Sequence, residues 1–280
     1  MRTFELKWEG KDGITFFVQG WEPDDRPRAV LILIHGLGEH TGRYAHVGKV
    51  MTEAGYALAG FDLRGHGKSG GARGHFPSLD AAILDIREFI GLMGQRFPNT
   101  PQFLYGHSLG GSLALSYTIE YGARLKGLVV TGAALRSALQ EQKVKIAMVK
   151  LLGSLAPATT LHSGLDPKTI SRDPKVVDAY ISDPLVHYRA SLGFGKSALH
   201  GIDLCFAHVK DFRLPLLVMH GTADKLTYPS GSAEFARLVR EAGGDMTLKL
   251  WEGLYHEIHN EPQQAEVFKF MIEWLDKHLL

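Results

Sequence analysis

The feature that most constrains this chain is Gly106-His107-Ser108-Leu109-Gly110, a G-x-S-x-G pattern lying between two different periodicities. Before it, Gln102-Phe103-Leu104-Tyr105 is short and apolar enough for a central strand; after it, Gly111 to Tyr117 reads as a helix. A strand that turns at once into a helix leaves the junction residue in a strained backbone conformation with its side chain held out of the sheet. Small neighbours are needed so that strand and helix can approach. The pattern therefore predicts a sharp elbow that presents the Ser108 hydroxyl.

The rest of the chain supplies the sheet that such an elbow requires. Thr3 to Trp8 and Thr15 to Gln19 flank a turn at Glu9 to Gly13 and predict an N-terminal hairpin. Ala29 to Ile34 is an unbroken apolar run, as in a strand covered on both faces of a mostly parallel sheet. A helix over Ala45 to Ala54, a strand over Ala57 to Phe61, a Ser78-capped helix to about Phe97 and a strand over Gly127 to Thr131 follow in alternation. The rhythm returns with a strand over Leu214 to His220, a helix over Pro229 to Glu241, and a last strand over Thr247 to Trp251. A closing helix carries Phe268, Met271, Ile272, Leu275 and Leu279 at helical spacing. This is an α/β chain with a mostly parallel central sheet and helices on both faces.

Between about Gly132 and Val209 the alternation breaks, with three Asp-Pro steps and no convincing buried strand. The chain therefore divides into a core at 1–131, a helical cap inserted after the sixth strand at 132–209, and a second core part at 210–280. Within the cap, Val144, Ala147, Met148, Leu151, Leu152 and Leu155 share one helical face, with Lys143, Lys145 and Lys150 away from it. Such a stripe ordinarily packs on the domain beneath. The alternative is a lid that shelters an acyl chain and touches membrane or micelle surfaces.

Composition narrows the partners. With 31 basic and 30 acidic residues there is no charge excess to suggest nucleic acid. One cysteine, Cys205, cannot form an internal disulfide. Charges scattered through Met1 to Trp8, and the lack of any bilayer-length apolar run, lead to the expectation of a cytoplasmic protein.

A free serine is a poor nucleophile at neutral pH, so Ser108 needs a base, and the base needs a third group to fix its tautomer. Asp224 follows the strand ending at His220, and His256 follows the last strand. Asp211 and Asp245 lie at the wrong ends of their strands, and His256 with His259 lacks the third ligand a zinc site needs. No metal or organic cofactor is implied. A tetrahedral oxyanion also needs donors; the backbone N–H groups of Leu109 and of Leu37, after the first core strand, are the candidates.

At this point the chain resembles the monoacylglycerol lipases and bacterial lysophospholipase-like enzymes of the α/β-hydrolase superfamily, over nearly its whole length. The matching stretches are His35 to Tyr44 (HGxGEHSGRY), Asp62 to Gly74 (DxRGHGxSxGxRG), Gly106 to Gly110, His220 to Asp224 (HGxAD) and Tyr255 to Glu261 (YHxxHxE). Thr41 stands where the family has serine, and keeps the hydroxyl. The resemblance implies the α/β-hydrolase fold, the catalytic order Ser108, Asp224, His256, and a glycerol site at Glu39, Arg43 and His259. Glu39 and Arg43 can alternatively pair to shape their loop, and His259 can cap the final helix. The expected activity is monoacylglycerol hydrolysis. A lysophospholipase, a general carboxylesterase and a non-catalytic binding protein on the same fold are the alternatives, a peptidase of related fold being less favoured because nothing in the sequence reads as a pocket for a free amino terminus; oligomeric state is not determined.

Overall fold

The computed structural model describes residues 1–279; Leu280, the end of the second core part, lies outside the described residues. In chain order its elements are β1 (Arg2–Glu9), β2 (Thr15–Glu22), β3 (Val30–Ile34), α1 (Ala45–Glu53), β4 (Ala57–Phe61) and α2 (Leu79–Arg96). Then come β5 (Gln102–His107), α3 (Leu109–Tyr121), β6 (Gly127–Thr131), α4 (Lys143–Leu155), β7 (Thr160–His162) and α5 (Pro174–Ser182). The chain closes with β8 (Arg189–Ser191), α6 (Leu192–Ala207), β9 (Leu216–Gly221), α7 (Pro229–Glu241), β10 (Met246–Trp251) and α8 (Gln264–Leu279). Eight strands make one sheet in the order β1-β2-β4-β3-β5-β6-β9-β10, with β1 and β2 antiparallel to their neighbours and the others parallel. This is the α/β-hydrolase fold that the sequence leads one to expect.

The apolar runs become the strands covered on both faces. Val30 to Ile34 and Leu216 to Met219 are entirely inaccessible, and complete burial of such a side chain is worth about 1.5–3 kcal/mol. One core lies between the sheet and the helices around α2 and α3; the other lies under α1 and α8. Because β3 runs next to β4 on one side and β5 on the other, the strand order reverses between β3 and β5. The loops leaving β3 and β5 therefore diverge at a switch point, where open α/β sheets form their ligand crevices. The loop at His35 and the elbow at Ser108 meet there.

Among the described residues, the segment between β6 and β9 adds no strand to the main sheet, and β7 and β8 pair only with each other. Here the simpler expectation for α4 fails. Val144, Met148, Leu151 and Leu155 are 52–75% exposed, and the buried residue of α4 is Gly153. A side chain at Gly153 would strike the Leu192 backbone and Lys196, so α4 crosses α6 at its small residue. The apolar stripe is left facing outward.

Candidate active site

The elbow is strained as its sequence requires. Ser108 has φ 54° and ψ −118°, and among the described residues only Asn99 shares a positive φ without being glycine. A Cβ at Gly106 would meet the Gly110–Gly111 backbone, and one at Gly110 would meet the Ile34 carbonyl, so the two flanking glycines are steric necessities. The Ser108 N–H donates to Thr131 O at 2.9 Å, which ties the elbow to β6.

Three loops at the same sheet edge bring Ser108, His256 and Asp224 into one hydrogen-bonded chain. The Ser108 hydroxyl donates to His256 Nε2 at 2.9 Å, and His256 Nδ1–H donates to Asp224 Oδ2 at 2.7 Å. All three residues are buried. Asp224 Oδ1 accepts from the Leu226 and Thr227 backbone N–H groups at 2.8 and 3.0 Å. His220 Nε2 and the Thr227 hydroxyl each lie 2.9 Å from Oδ2. Burial alone would raise the Asp224 pKa, but the charge of His256 and the hydrogen bonds from His220 and His256 outweigh it and hold the carboxylate well below its ordinary range. Burial would likewise push His256 down, and Asp224 reverses that, leaving the imidazole a stronger base than an ordinary histidine. A serine proton can thus pass to a base that is oriented and charge-compensated before reaction begins.

The Leu37 and Leu109 N–H groups have no hydrogen-bond acceptor among the described residues. Both residues line a cavity of roughly 430 Å³ that also contains Ser108 and His256. Gly36 approaches the nucleophile so closely that a Cβ on it would lie 3.2 Å from Ser108 Cβ. This is the arrangement in which two backbone donors could receive a developing oxyanion.

The cavity lining is of two kinds: Ile170, Phe194, Ala198, Leu199 and Ile202 give it apolar surface, while Glu39 and Glu257 give it carboxylates. Arg43 lies behind these two acids: its Nη1 donates to Glu39 Oε2 at 2.8 Å and to Glu257 Oε1 at 2.7 Å, and its Nη2 donates to Glu257 Oε2 at 2.7 Å. The guanidinium sits 4.6 Å from the centroid of the Tyr180 ring. Burial disfavours the Glu257 carboxylate, yet Arg43 pulls its pKa below the ordinary value.

Of the three residues that the resemblance assigns to glycerol, only Glu39 lines the cavity. His259 is buried and stacks on Tyr44 at 5.0 Å, and neither of its ring nitrogens has a hydrogen-bond partner among the described residues. Burial lowers its pKa to about 3. Sequence spacing singles out neither His220 nor Glu257, although His220 lies in the strand that leads to Asp224 and Glu257 directly follows His256. Only the fold aims them at the site.

Residues 25–263 match the family described as serine aminopeptidase, S33. The chain is 37% identical to a monoacylglycerol lipase of Mycolicibacterium smegmatis, covering 98% of each chain. It is 40% identical to an uncharacterized abhydrolase domain-containing protein of Dictyostelium discoideum over 96% of this chain, which spans only 28% of that longer protein. Among solved structures it resembles a monoacylglycerol lipase of Paleococcus ferrophilus, with a TM-score of 0.84 and 34% identity over 99% of this chain and 100% of that one. On sequence and fold together, the chain belongs to the α/β-hydrolase family described as serine aminopeptidase, S33, within which its relatives include monoacylglycerol lipases.

Proposed function

We propose that this chain is a serine ester hydrolase that converts monoacylglycerols to glycerol and fatty acid through an acyl-enzyme. The observation that carries the reading is the unbroken Ser108–His256–Asp224 chain opening on a cavity whose lining combines apolar side chains with the carboxylates of Glu39 and Glu257. Ser108 Oγ attacks the ester carbonyl while His256 Nε2 takes its proton, and the resulting imidazolium is stabilised by Asp224. The carbonyl oxygen, now negative, accepts from the Leu37 and Leu109 N–H groups. Collapse of the tetrahedral intermediate expels the alkoxide of glycerol, which takes the proton back from His256. Water then repeats the sequence on the acyl-serine, with His256 again as base.

In this reading the acyl chain lies against the apolar side chains and glycerol hydroxyls meet Glu39. Arg43 and His259 shape the glycerol site without lining the cavity. Residues 132–209 act as a cap on a core formed by 1–131 and 210–280. The exposed α4 stripe supports transient contact of the cap with membranes or micelles. No helix among the described residues is long and apolar enough to cross a membrane. A cytoplasmic location is also part of the proposal, supported by the free buried Cys205.

Ser108→Ala is the direct test: it should abolish release of fatty acid from monooleoylglycerol and of nitrophenol from nitrophenyl butyrate, with the melting temperature retained. Full turnover of either ester by that variant would defeat the assignment. A second reading, hydrolysis of lysophospholipids, draws on Lys225, an exposed cation in the cavity lining. Parallel assays on lysophosphatidylcholine, monooleoylglycerol and an aminoacyl nitroanilide separate the lysophospholipase, monoacylglycerol lipase and peptidase readings.

A further inference from the structure

The Gly36–His40 loop is held from two sides, and only one of them is the core. On the core side, His35 Nδ1–H donates to Gly36 O at 2.8 Å, while His35 Nε2 accepts from the Leu63 N–H at 2.9 Å. The Gly36 carbonyl and the Leu37 N–H belong to one planar peptide unit, so fixing the direction of the carbonyl also fixes that of the N–H. The far end of the loop is gripped by the segment between α5 and β8. Asp183 Oδ2 accepts from His40 Nε2–H at 2.8 Å, and the His187 backbone N–H donates to Gly38 O at 2.9 Å. His187 Nε2–H also donates to Gly65 O at 3.0 Å, in the neighbouring loop after β4.

The two rings are pre-set for these contacts. His40 Nδ1 accepts from the Gly42 N–H at 3.2 Å, and His187 Nδ1 from the Arg189 N–H at 3.3 Å, so each ring presents Nε2–H outward. Gly38, at φ 80°, lies so close that a Cβ on it would collide with the His187 carbonyl. The Gly36–His40 loop and the segment between α5 and β8 therefore touch backbone to backbone, next to Leu37, which lines the cavity.

We propose that the Asp183 and His187 side chains are positioning groups for ester hydrolysis: by anchoring His40 and Gly65 on either side of the main-chain contact between His187 and Gly38, they hold the Leu37 N–H in its catalytic direction. The inference rests on the reading of that N–H as an oxyanion donor. A misdirected donor weakens the transition state while leaving the bound ester nearly untouched. Every ester develops the same oxyanion, so the loss should not depend on the headgroup. A cap segment that only stabilised the fold, or only shaped the glycerol site, would give a different pattern.

The experiment uses the full chain, with Asp183→Ala, His187→Ala and their combination. Beside them stand Asp183→Glu and His187→Gln, which keep a carboxylate acceptor for His40 and a donor for Gly65. For the combined alanine variant we expect kcat to fall by roughly 10- to 100-fold, less than the loss from deleting a donor outright. The fall should be the same on nitrophenyl butyrate and monooleoylglycerol, with KM little changed, and the conservative variants should recover most of it. Affinity for a trifluoromethyl ketone, whose hemiketal oxyanion uses the same donors, should weaken in parallel. An unchanged kcat in folded single variants, a loss confined to monooleoylglycerol, or unaltered inhibitor affinity despite a lower kcat would overturn the proposal. Leu37→Pro, which removes the N–H itself, separates the two levels. If it retains both kcat and inhibitor affinity, the oxyanion reading fails; if it loses both while the combined alanine variant loses neither, only the role of the cap fails.

Discussion

The sharpest consequence of the site is what a single-atom change at Asp224 should do. Both carboxylate oxygens are surrounded by donors: Oδ1 by the Leu226 and Thr227 N–H groups, Oδ2 by His256, His220 and Thr227. An asparagine amide fits the same space but must turn its NH2 toward one of those sets. The backbone donors cannot change, whereas an imidazole can exchange tautomers, so the amide oxygen is expected to face Leu226 and Thr227. His256 then accepts at Nδ1 and carries its proton on Nε2, where it can no longer take the proton of Ser108. We predict that Asp224→Asn lowers kcat by about 10⁴-fold, or roughly 5.5 kcal/mol of barrier. Unmatched buried donors should cost about 1–3 kcal/mol of stability each. Nitrophenyl butyrate turnover, with urea unfolding as the stability control, measures both. A folded variant within about tenfold of the parent would refute the argument that Asp224 sets the tautomer of His256.

Three further outcomes follow from the same geometry. Because Asp224 raises the His256 pKa above its ordinary 6.5, the protonated, inactive form should persist past that value, placing the acid limb of kcat/KM above pH 6.5; Glu257→Gln, which removes a nearby negative charge, should move the limb to lower pH. His259 is buried neutral with its pKa near 3, so it imposes no protonation penalty above pH 6.5 and a growing loss of stability as pH falls toward 3, where the unfolded chain alone takes up the proton. His259→Phe should therefore flatten the acid side of a melting-temperature profile, and by removing two unpartnered nitrogens raise Tm at pH 7 by about 2–4 °C; a steeper acid slope would contradict this. Leu151→Ser with Leu155→Ser on the exposed face of α4 should weaken sedimentation with lipid vesicles while leaving Tm and soluble-ester turnover unchanged.

Much of the fold was legible because its signals are local. Val30 to Ile34 reads as a buried strand since a strand covered on both faces can carry no polar alternation, and Ser78 does cap α2 by accepting from the Ala81 N–H. The α4 stripe is less legible, because helical periodicity reports that a face is apolar without saying what covers it. Gly153, the residue that decides how α4 crosses α6, is silent in any hydrophobic count.

The sequence by itself determined the elbow, the strand ends that carry Ser108, Asp224 and His256, and the order in which they occur. Those depend on steric and periodic rules acting over a few residues. Tertiary structure alone decided what stands around them: His220 against Asp224, Arg43 shared between Glu39 and Glu257, His259 packed on Tyr44, and Asp183 and His187 on the Gly36–His40 loop. Such contacts join residues up to more than 200 positions apart, as Arg43 and Glu257 are. Their partners are chosen by distance and burial in the folded chain, where unpaired charge and unmatched donors are costly, and no local pattern encodes that choice.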